Sequence, residues 1–102
     1  MIIAKRRADL TTMMITKDLT IRNKMGLHAR PAAQFVKRAS KYKCDVWVEK
    51  DDEPVNGKSI MGLMMLAAGR GEIIKLTTEG ADAQEAMNDL EELVNSGFGD
   101  VE

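Results

Sequence analysis

The chain has 102 residues, of which 44% are apolar and 30% are charged, and its formal net charge at pH 7 is -1. This length is enough for one compact domain and too short for two ordinary ones. The single cysteine, Cys44, excludes an internal disulfide, and the single histidine, His28, excludes a His-rich metal cluster, so we expect no metal and no cofactor. No apolar run approaches the roughly 18 residues of a membrane span and no secretion signal is recognisable, which predicts a cytoplasmic protein that does not insert into the membrane.

The small net charge conceals an uneven distribution. Residues 1–50 contain twelve Lys and Arg against four Asp and Glu, whereas residues 76–102 contain eight acids and no Lys or Arg. The basic half favours an anionic ligand or an acidic partner. A small nucleic-acid binder is the alternative from a different class of function. Because only four aromatic residues are present to stack on bases, we expect no nucleic-acid partner.

Hydrophobic periodicity predicts an extension and then one domain. Residues 1–13 show no sustained period, and we expect them to form a loosely ordered extension. The remainder, residues 14–102, is predicted to be a single domain. Residues 14–21 alternate between apolar and polar side chains, which predicts a strand with one apolar face on which Lys17 is the exception.

A helix is predicted over residues 29–41. Pro31 is tolerated only in a first turn, where a missing N–H has no helical partner to lose. The N-cap therefore lies at or next to His28 or Ala29. The apolar residues with helical spacing, which we expect to face the core, are Ala32, Phe35, Val36 and Ala39.

Two short strands with an acidic turn between them, residues 44–49 and 54–56, are predicted to form a hairpin. Ser59 then precedes the apolar run of residues 60–68, a short helix for which its side chain is the predicted N-cap. Residues 72–78 are the fourth predicted strand.

The last predicted helix has the clearest pattern. Asp82 and Glu85 have the spacing of a capping box, six apolar residues repeat with helical period, and Gly97 ends the helix. The element order is therefore β-α-β-β-α-β-α. It predicts an α+β fold in which an antiparallel sheet carries helices on one face and water on the other.

His28 is the candidate functional residue. Unpaired N–H groups at a helix start, together with the positive end of the helix dipole, form an anion site. Arg30, two positions later, offers a guanidinium to phosphoryl oxygens, and imidazole is a nucleophile. These features suggest a histidine that accepts phosphate, although an ordinary helix-start residue is the more economical interpretation of the local features alone.

Two segments resemble the HPr family, the histidine-containing phosphocarriers of the bacterial phosphoenolpyruvate:sugar phosphotransferase system. The segment GLHARPAAQFV, residues 26–36, is similar to the active-site signature of that family. The segment VNGKSIMGLMML, residues 55–66, is similar to its regulatory-serine helix at the expected separation. The similarity runs from about Met14 to Ser96, and two long, correctly spaced motifs are together highly specific.

The resemblance implies a phosphoryl relay. His28 would accept a phosphoryl group on Nδ1 from enzyme I, which is charged by phosphoenolpyruvate, and pass it to an enzyme IIA, while Arg30 holds the phosphoryl oxygens. Such a protein carries a phosphohistidine intermediate and is not a stand-alone enzyme. The implied fold is an open-faced β-sandwich, with a four-stranded antiparallel sheet in the order 1-4-2-3 and three helices on one face. We expect it to be a monomer.

The resemblance also implies regulation at Ser59, the position that an HPr kinase/phosphorylase modifies in many bacteria. As an N-cap, Ser59 would contribute about 1 kcal/mol relative to Ala, and we expect both roles. A helix as apolar as this one cannot bury every side, and in the family it forms part of a docking patch. We therefore predict that Ile60, Met61 and Met64 are exposed for docking, whereas Met65 and Leu66 lie in the core.

Two alternatives stay open within the family. One is the carrier of the nitrogen-related phosphotransferase branch. The other is a mainly regulatory HPr-like protein that binds a transcriptional regulator through the Ser59-phosphorylated form. Regulators of the Crh type lack the active histidine, whereas His28 is present here, so the carrier is favoured. Cys44 is predicted to be a small buried residue, since no second histidine is present to activate it as a nucleophile.

Overall fold

The structure, a computed structural model, describes residues 13–100, so that the predicted extension lies outside the described residues except for Met13. Within this range the four strands are β1 (Met13–Thr20), β2 (Asp45–Lys50), β3 (Glu53–Asn56) and β4 (Ile73–Gly80). The same range contains three α-helices, α1 (Ala29–Ala39), α2 (Ile60–Met65) and α3 (Ala83–Asn95), and a 3-10 helix at Gly97–Gly99. The predicted element order is therefore confirmed.

The sheet has the strand order β1-β4-β2-β3, which the family resemblance implies, and every neighbouring pair is antiparallel. Thr77 of β4 lies opposite both Thr16 of β1 and Trp47 of β2, and Trp47 lies opposite Asn56 of β3. These four side chains form one row across the sheet and are exposed or half-buried. Because side chains alternate between the two faces of a strand, this row marks the face that the helices leave open to water.

The hairpin of β2 and β3 turns in two residues. Lys50 pairs with Glu53, which leaves Asp51 and Asp52 as the loop. Both loop residues have positive φ, 52° and 67°, the geometry of a type I′ turn. The sequence predicted this hairpin, although neither loop position holds the glycine or asparagine that such a turn prefers.

The helices cover the other face of the sheet and enclose one core. Phe35, Ala32 and Ala39 of α1 are buried as predicted, and Val36 is partly buried against them. The predicted apolar face of α3 is also confirmed, since all six of its members are buried: Ala83, Ala86, Met87, Leu90, Leu93 and Val94. None of the helices described between residues 13 and 100 is long and apolar enough to cross a membrane.

Helix α2 is shorter than predicted. It ends at Met65 with Leu66 as its C-cap, because Ala67 takes a left-handed φ of 52° that a right-handed helix cannot continue. Leu63 and Leu66, three positions apart, are both buried. Met65 points away from that face and is 78% exposed, so the prediction that it lies in the core was wrong.

Asp82 begins α3 but does not form the predicted capping box with Glu85. Its side chain makes no capping hydrogen bond and instead accepts the backbone N–H groups of Lys43 at 2.8 Å and Cys44 at 2.9 Å. Two charge-assisted bonds thereby replace the one that a cap provides, and they lower the pKa of Asp82. Cys44 is buried as predicted, and burial raises its pKa to about 11, so it is an unreactive thiol at neutral pH.

Asp89 links α1 and the segment after it to α3. Its carboxylate accepts hydrogen bonds from the Arg38 guanidinium and, at 2.7 Å, from the Tyr42 hydroxyl. Desolvation raises the pKa of Asp89, but the bonds from Tyr42 and Arg38 outweigh it and leave the pKa below its ordinary value. The bond to Asp89 raises the pKa of Tyr42 to about 12, so the hydroxyl stays protonated and keeps donating.

Replacing Asp89 by Asn should lower the free energy of unfolding at pH 7 by about 1–2 kcal/mol, because two hydrogen bonds lose their charged acceptor. Since the folded-state pKa is lowered, this stabilisation is complete above the unfolded-state pKa of about 3.9 and is lost as the pH falls through the folded-state value. Urea unfolding from pH 7 to pH 2 should show the two proteins converging in acid. The exposed Asp18 provides the control, since Asp18→Asn should cost less than about 0.5 kcal/mol; a difference for Asp89→Asn that does not change with pH would contradict the assignment.

Candidate functional site

His28 is the N-cap residue of α1, as predicted. Its backbone is extended, with φ -85° and ψ -171°, and its carbonyl accepts the Ala32 N–H at 3.0 Å. Its side chain is exposed and makes no capping hydrogen bond. The N–H groups of Ala29 and Arg30 come too early in the helix to have a helical carbonyl to donate to. The imidazole is therefore presented to solvent beside N–H donors and the positive end of a helix of 11 residues.

Backbone contacts hold the loop that leads to His28. The Leu27 N–H donates to the Ala68 carbonyl at 2.9 Å, and the His28 N–H donates to the Gly26 carbonyl at 2.9 Å. The same Gly26 carbonyl accepts a second bond, at 2.8 Å, from the buried Asn23 side chain. Leu27 is buried while His28 is exposed, so the residue before the imidazole anchors the loop that presents it.

Gly26 meets two constraints at once. Its φ is 68°, which favours glycine, and a Cβ built there would lie 2.3 Å from the Ala68 carbonyl oxygen and 2.8 Å from the Gly69 Cα. Both atoms belong to backbone, so neither can move aside unless the whole loop moves. A side chain at position 26 would therefore displace the acceptor of the Leu27 N–H.

Replacing Gly26 by Ala should lower the free energy of unfolding by about 2–4 kcal/mol, because the clash with backbone adds to the strain of a positive φ. Gly71 offers a matched control. Its φ is 87° but a Cβ there meets nothing within 4 Å, so Gly71→Ala should cost only the strain, about 1–2 kcal/mol. Equal losses in urea unfolding of the two variants would show that the close approach at Gly26 has no energetic weight.

Arg30 lies in the first turn of α1 and is paired with a residue that the sequence did not indicate. Its guanidinium, 71% exposed, lies 2.9 Å from the Asp100 carboxylate. Asp100 follows the 3-10 helix, which is anchored by the buried side chain of Phe98. Sequence reasoning missed Asp100 because residues after Ser96 fell outside the resemblance. The only signal was the excess of acids in the last quarter of the chain.

Ser59 is the N-cap of α2, as predicted, and its Oγ accepts the Gly62 N–H at 3.0 Å. The apolar residues that α2 exposes, called here the α2 patch, are Ile60, Met61, Met64 and Met65. The prediction that Ile60, Met61 and Met64 are exposed is confirmed.

The site residues lie on neighbouring elements. Helix α1 packs against α2, and the backbone of Ala68, just after α2, contacts the loop before His28. Because α2 has six residues, it is about 9 Å long. Ser59 lies at its N-terminal end, whereas Ala68 follows its C-terminal end. Among the described residues, no cluster of His, Cys, Asp and Glu could hold a metal ion.

Comparisons with known proteins point to one family. A family model described as the PTS HPr component phosphorylation site matches residues 15–96. The chain is similar to phosphocarrier protein HPr of Neisseria meningitidis, at 54% identity over 89 residues that cover 87% of this chain and 100% of that protein. It is also similar to the HPr-like protein Crh of Halalkalibacterium halodurans, at 52% identity over 77 residues that cover 76% of this chain and 92% of Crh. Among solved structures, HPr-C-His from Thermoanaerobacter tengcongensis matches with a TM-score of 0.83 and 49% identity, covering 86% of this chain and 99% of that one.

Proposed function

This chain belongs to the HPr family of phosphocarriers of the phosphotransferase system, and from this premise we propose that His28 is the residue that carries the phosphoryl group. The observation that supports the proposal is the exposed imidazole at the N-cap of α1. In the proposed cycle, a P–N bond to His28 forms as the bond between phosphorus and enzyme I breaks. Delivery then breaks this P–N bond as a bond between phosphorus and enzyme IIA forms.

The surroundings of His28 suit a group that must be released after it is accepted. The N–H groups of Ala29 and Arg30 are available to phosphoryl oxygens, as is the exposed guanidinium of Arg30. Phosphoryl oxygens would compete with the Asp100 carboxylate for that guanidinium. The competition weakens the hold on the phosphate, which favours a relay because strong binding of the intermediate would trap it.

Incubation with enzyme I and phosphoenolpyruvate should place phosphate on His28. The product should be labile in acid and stable in alkali, as expected of a phosphoramidate. His28→Ala should take up no phosphate and should change the free energy of unfolding by less than about 0.5 kcal/mol, because the side chain is exposed. Acid-stable phosphate, or incorporation into His28→Ala, would refute the role of His28.

We further propose that an HPr kinase/phosphorylase modifies Ser59 and that the α2 patch docks enzyme I and enzyme IIA. Exposed methionines suit a surface that receives several partners, since their side chains adapt in shape. A phosphoserine adds about -1.5 to -2 charges beside this patch, where a partner must remove water. Desolvating that charge is costly unless the partner supplies a cation, so an apolar partner is excluded and a transcriptional regulator with Arg or Lys is recruited.

Charge at position 59 should therefore slow phosphorylation of His28 without unfolding the protein. Ser59→Asp and Ser59→Asn are a matched pair, because both residues are good N-caps and only one carries a charge. We expect Ser59→Asp and phospho-Ser59 to lower the rate of transfer from enzyme I, whereas Ser59→Asn keeps it. All forms should melt within a few degrees of the unmodified protein. For a domain of this size, a loss of 1 kcal/mol would lower the melting temperature by about 4–8 °C. Equal transfer rates, or a large loss of melting temperature on phosphorylation, would contradict docking control.

The similarity to Crh keeps a mainly regulatory role as the second candidate, and the nitrogen-related branch is a variant of the first. The presence of His28 favours the carrier. Transfer from the enzyme I of each branch would separate the three: rapid transfer from one enzyme I identifies the branch, and none from either favours the regulator. A cytoplasmic location and a monomeric state stay predictions.

A further inference from the structure

We propose that Lys50, at the end of β2, is a positioning residue for His28: it holds the loop after α2 in the place where the backbone of that loop fixes the loop before His28. The inference rests on the proposed role of His28 as the phosphoryl acceptor. It concerns a residue outside both sequence motifs and on a different element from every site residue described above.

Lys50 binds backbone carbonyls at the C-terminal end of α2. Its ammonium donates to the carbonyls of Leu66 at 3.2 Å and Ala67 at 3.3 Å, and it lies 3.2 Å from Glu72 Oε1. An ammonium has three N–H donors, and these three acceptors match them. The carbonyls at the end of a helix lack helical partners and carry the negative end of its dipole, so a cation is favoured there. Only 16% of the Lys50 side chain is exposed, which limits its screening by water.

Glu72 extends this hold to the middle of the loop. Its Oε1 accepts the Gly69 N–H at 2.6 Å, while the Glu72 N–H donates to the Gly69 carbonyl at 3.0 Å. The hydrogen bond from the Gly69 N–H is the main cause that lowers the pKa of Glu72, and the bond from Lys50 is the second. The carboxylate is therefore charged at neutral pH. The ammonium of Lys50 and the carboxylate of Glu72 thus bind the backbone of the loop formed by residues 66–72, and the two groups also contact each other.

The loop needs such a hold because its backbone is strained. Ala67 has a φ of 52°, a left-handed conformation that a residue with a Cβ rarely adopts, and Ala68 follows it directly. Ala68 is buried, and its carbonyl is the acceptor of the Leu27 N–H. The carbonyl that fixes the loop of His28 is thus one residue away from a carbonyl that Lys50 fixes.

Loss of the Lys50 ammonium would leave the Leu66 and Ala67 carbonyls without this donor and let Ala67 relax. The Ala68 carbonyl would then move, and the Leu27 N–H would open to solvent more often. A less fixed His28 reaches the geometry of attack on phosphorus less often, which lowers kcat. The α2 patch is part of the helix body, so docking of enzyme I, and with it KM, should change little.

The test compares Lys50→Met with Lys17→Met. Methionine keeps most of the buried chain of Lys50 and removes the charge. Lys17 is also an ion-paired lysine at the sheet, 2.8 Å from Glu91, but it makes its pair with α3. In Lys50→Met we expect hydrogen exchange at the Leu27 amide to accelerate roughly tenfold while the Phe35 amide in α1 exchanges as before.

In the same variant we expect kcat for phosphorylation of His28 by enzyme I to fall roughly 3- to 10-fold, with KM for enzyme I changed by less than about twofold. Lys17→Met should match the wild type in both measurements. Lys50→Arg should restore part of the Leu27 protection and of kcat, because a guanidinium can donate to the same carbonyls.

Three results would overturn the proposal: Leu27 exchange and kcat in Lys50→Met equal to those of Lys17→Met, acceleration of the Leu27 and Phe35 amides alike, or a change in KM alone. If Lys50→Met does not fold, Glu72→Gln takes its place under the same criteria, since glutamine keeps an acceptor for Gly69 and loses the charge that attracts Lys50. A wild type that takes no phosphate on His28 would refute the proposed function itself. Unchanged Leu27 exchange in a protein that is phosphorylated would refute only the role of Lys50.

Discussion

The arrangement of the site depends on how closely two backbone loops approach each other. The loop before His28 and the loop after α2 meet where Gly26 leaves no room for a Cβ against Ala68 and Gly69. The bond from the Leu27 N–H to the Ala68 carbonyl lies at this contact. An exposed histidine at a helix start would otherwise have only its own short loop to orient it. The close approach joins the two halves of the chain that carry the two motifs.

Local pattern was sufficient for most of the fold. Alternation and helical spacing are properties of neighbouring residues, so the strands, α1 and α3 followed from them, and Pro31 located the start of α1. His28 and Ser59 were also found locally, as cap positions within motifs. The hairpin turn was found from its acidic residues even though Asp51 and Asp52 must both take positive φ.

What the sequence did not reveal depends on contacts between distant segments. Asp82 has the spacing of a capping box, yet two backbone N–H groups from the start of β2 bind it in the folded chain. Met65 reads as apolar core, but the left-handed turn at Ala67 ends α2 early and leaves Met65 on the outer side. Asp100 lies beyond both motifs, and it pairs with Arg30 in a tail that the buried side chain of Phe98 anchors. No local pattern contains these pairings.

Part of the uneven charge of the sequence is used in ion pairs inside the molecule. The ion pairs Lys17 with Glu91 and Arg38 with Asp89 each join the basic first half to the acidic last quarter, as does the pair of Arg30 with Asp100. A count of the basic residues in the first half therefore overstates the positive charge that is available to a partner. One of these pairs, that of Arg30 with Asp100, lies beside His28 at the start of α1.

The open face of the sheet has an optical consequence. Trp47 is the single tryptophan of the chain, and it lies partly exposed in the row of side chains on the face away from the helices. Indole emission responds to the immediate surroundings of the ring, whereas His28 and the α2 patch belong to the helical layer. Tryptophan fluorescence should thus change when the strands separate and stay constant when a partner covers the helices, which gives the native chain a built-in reporter of folding that is silent to docking.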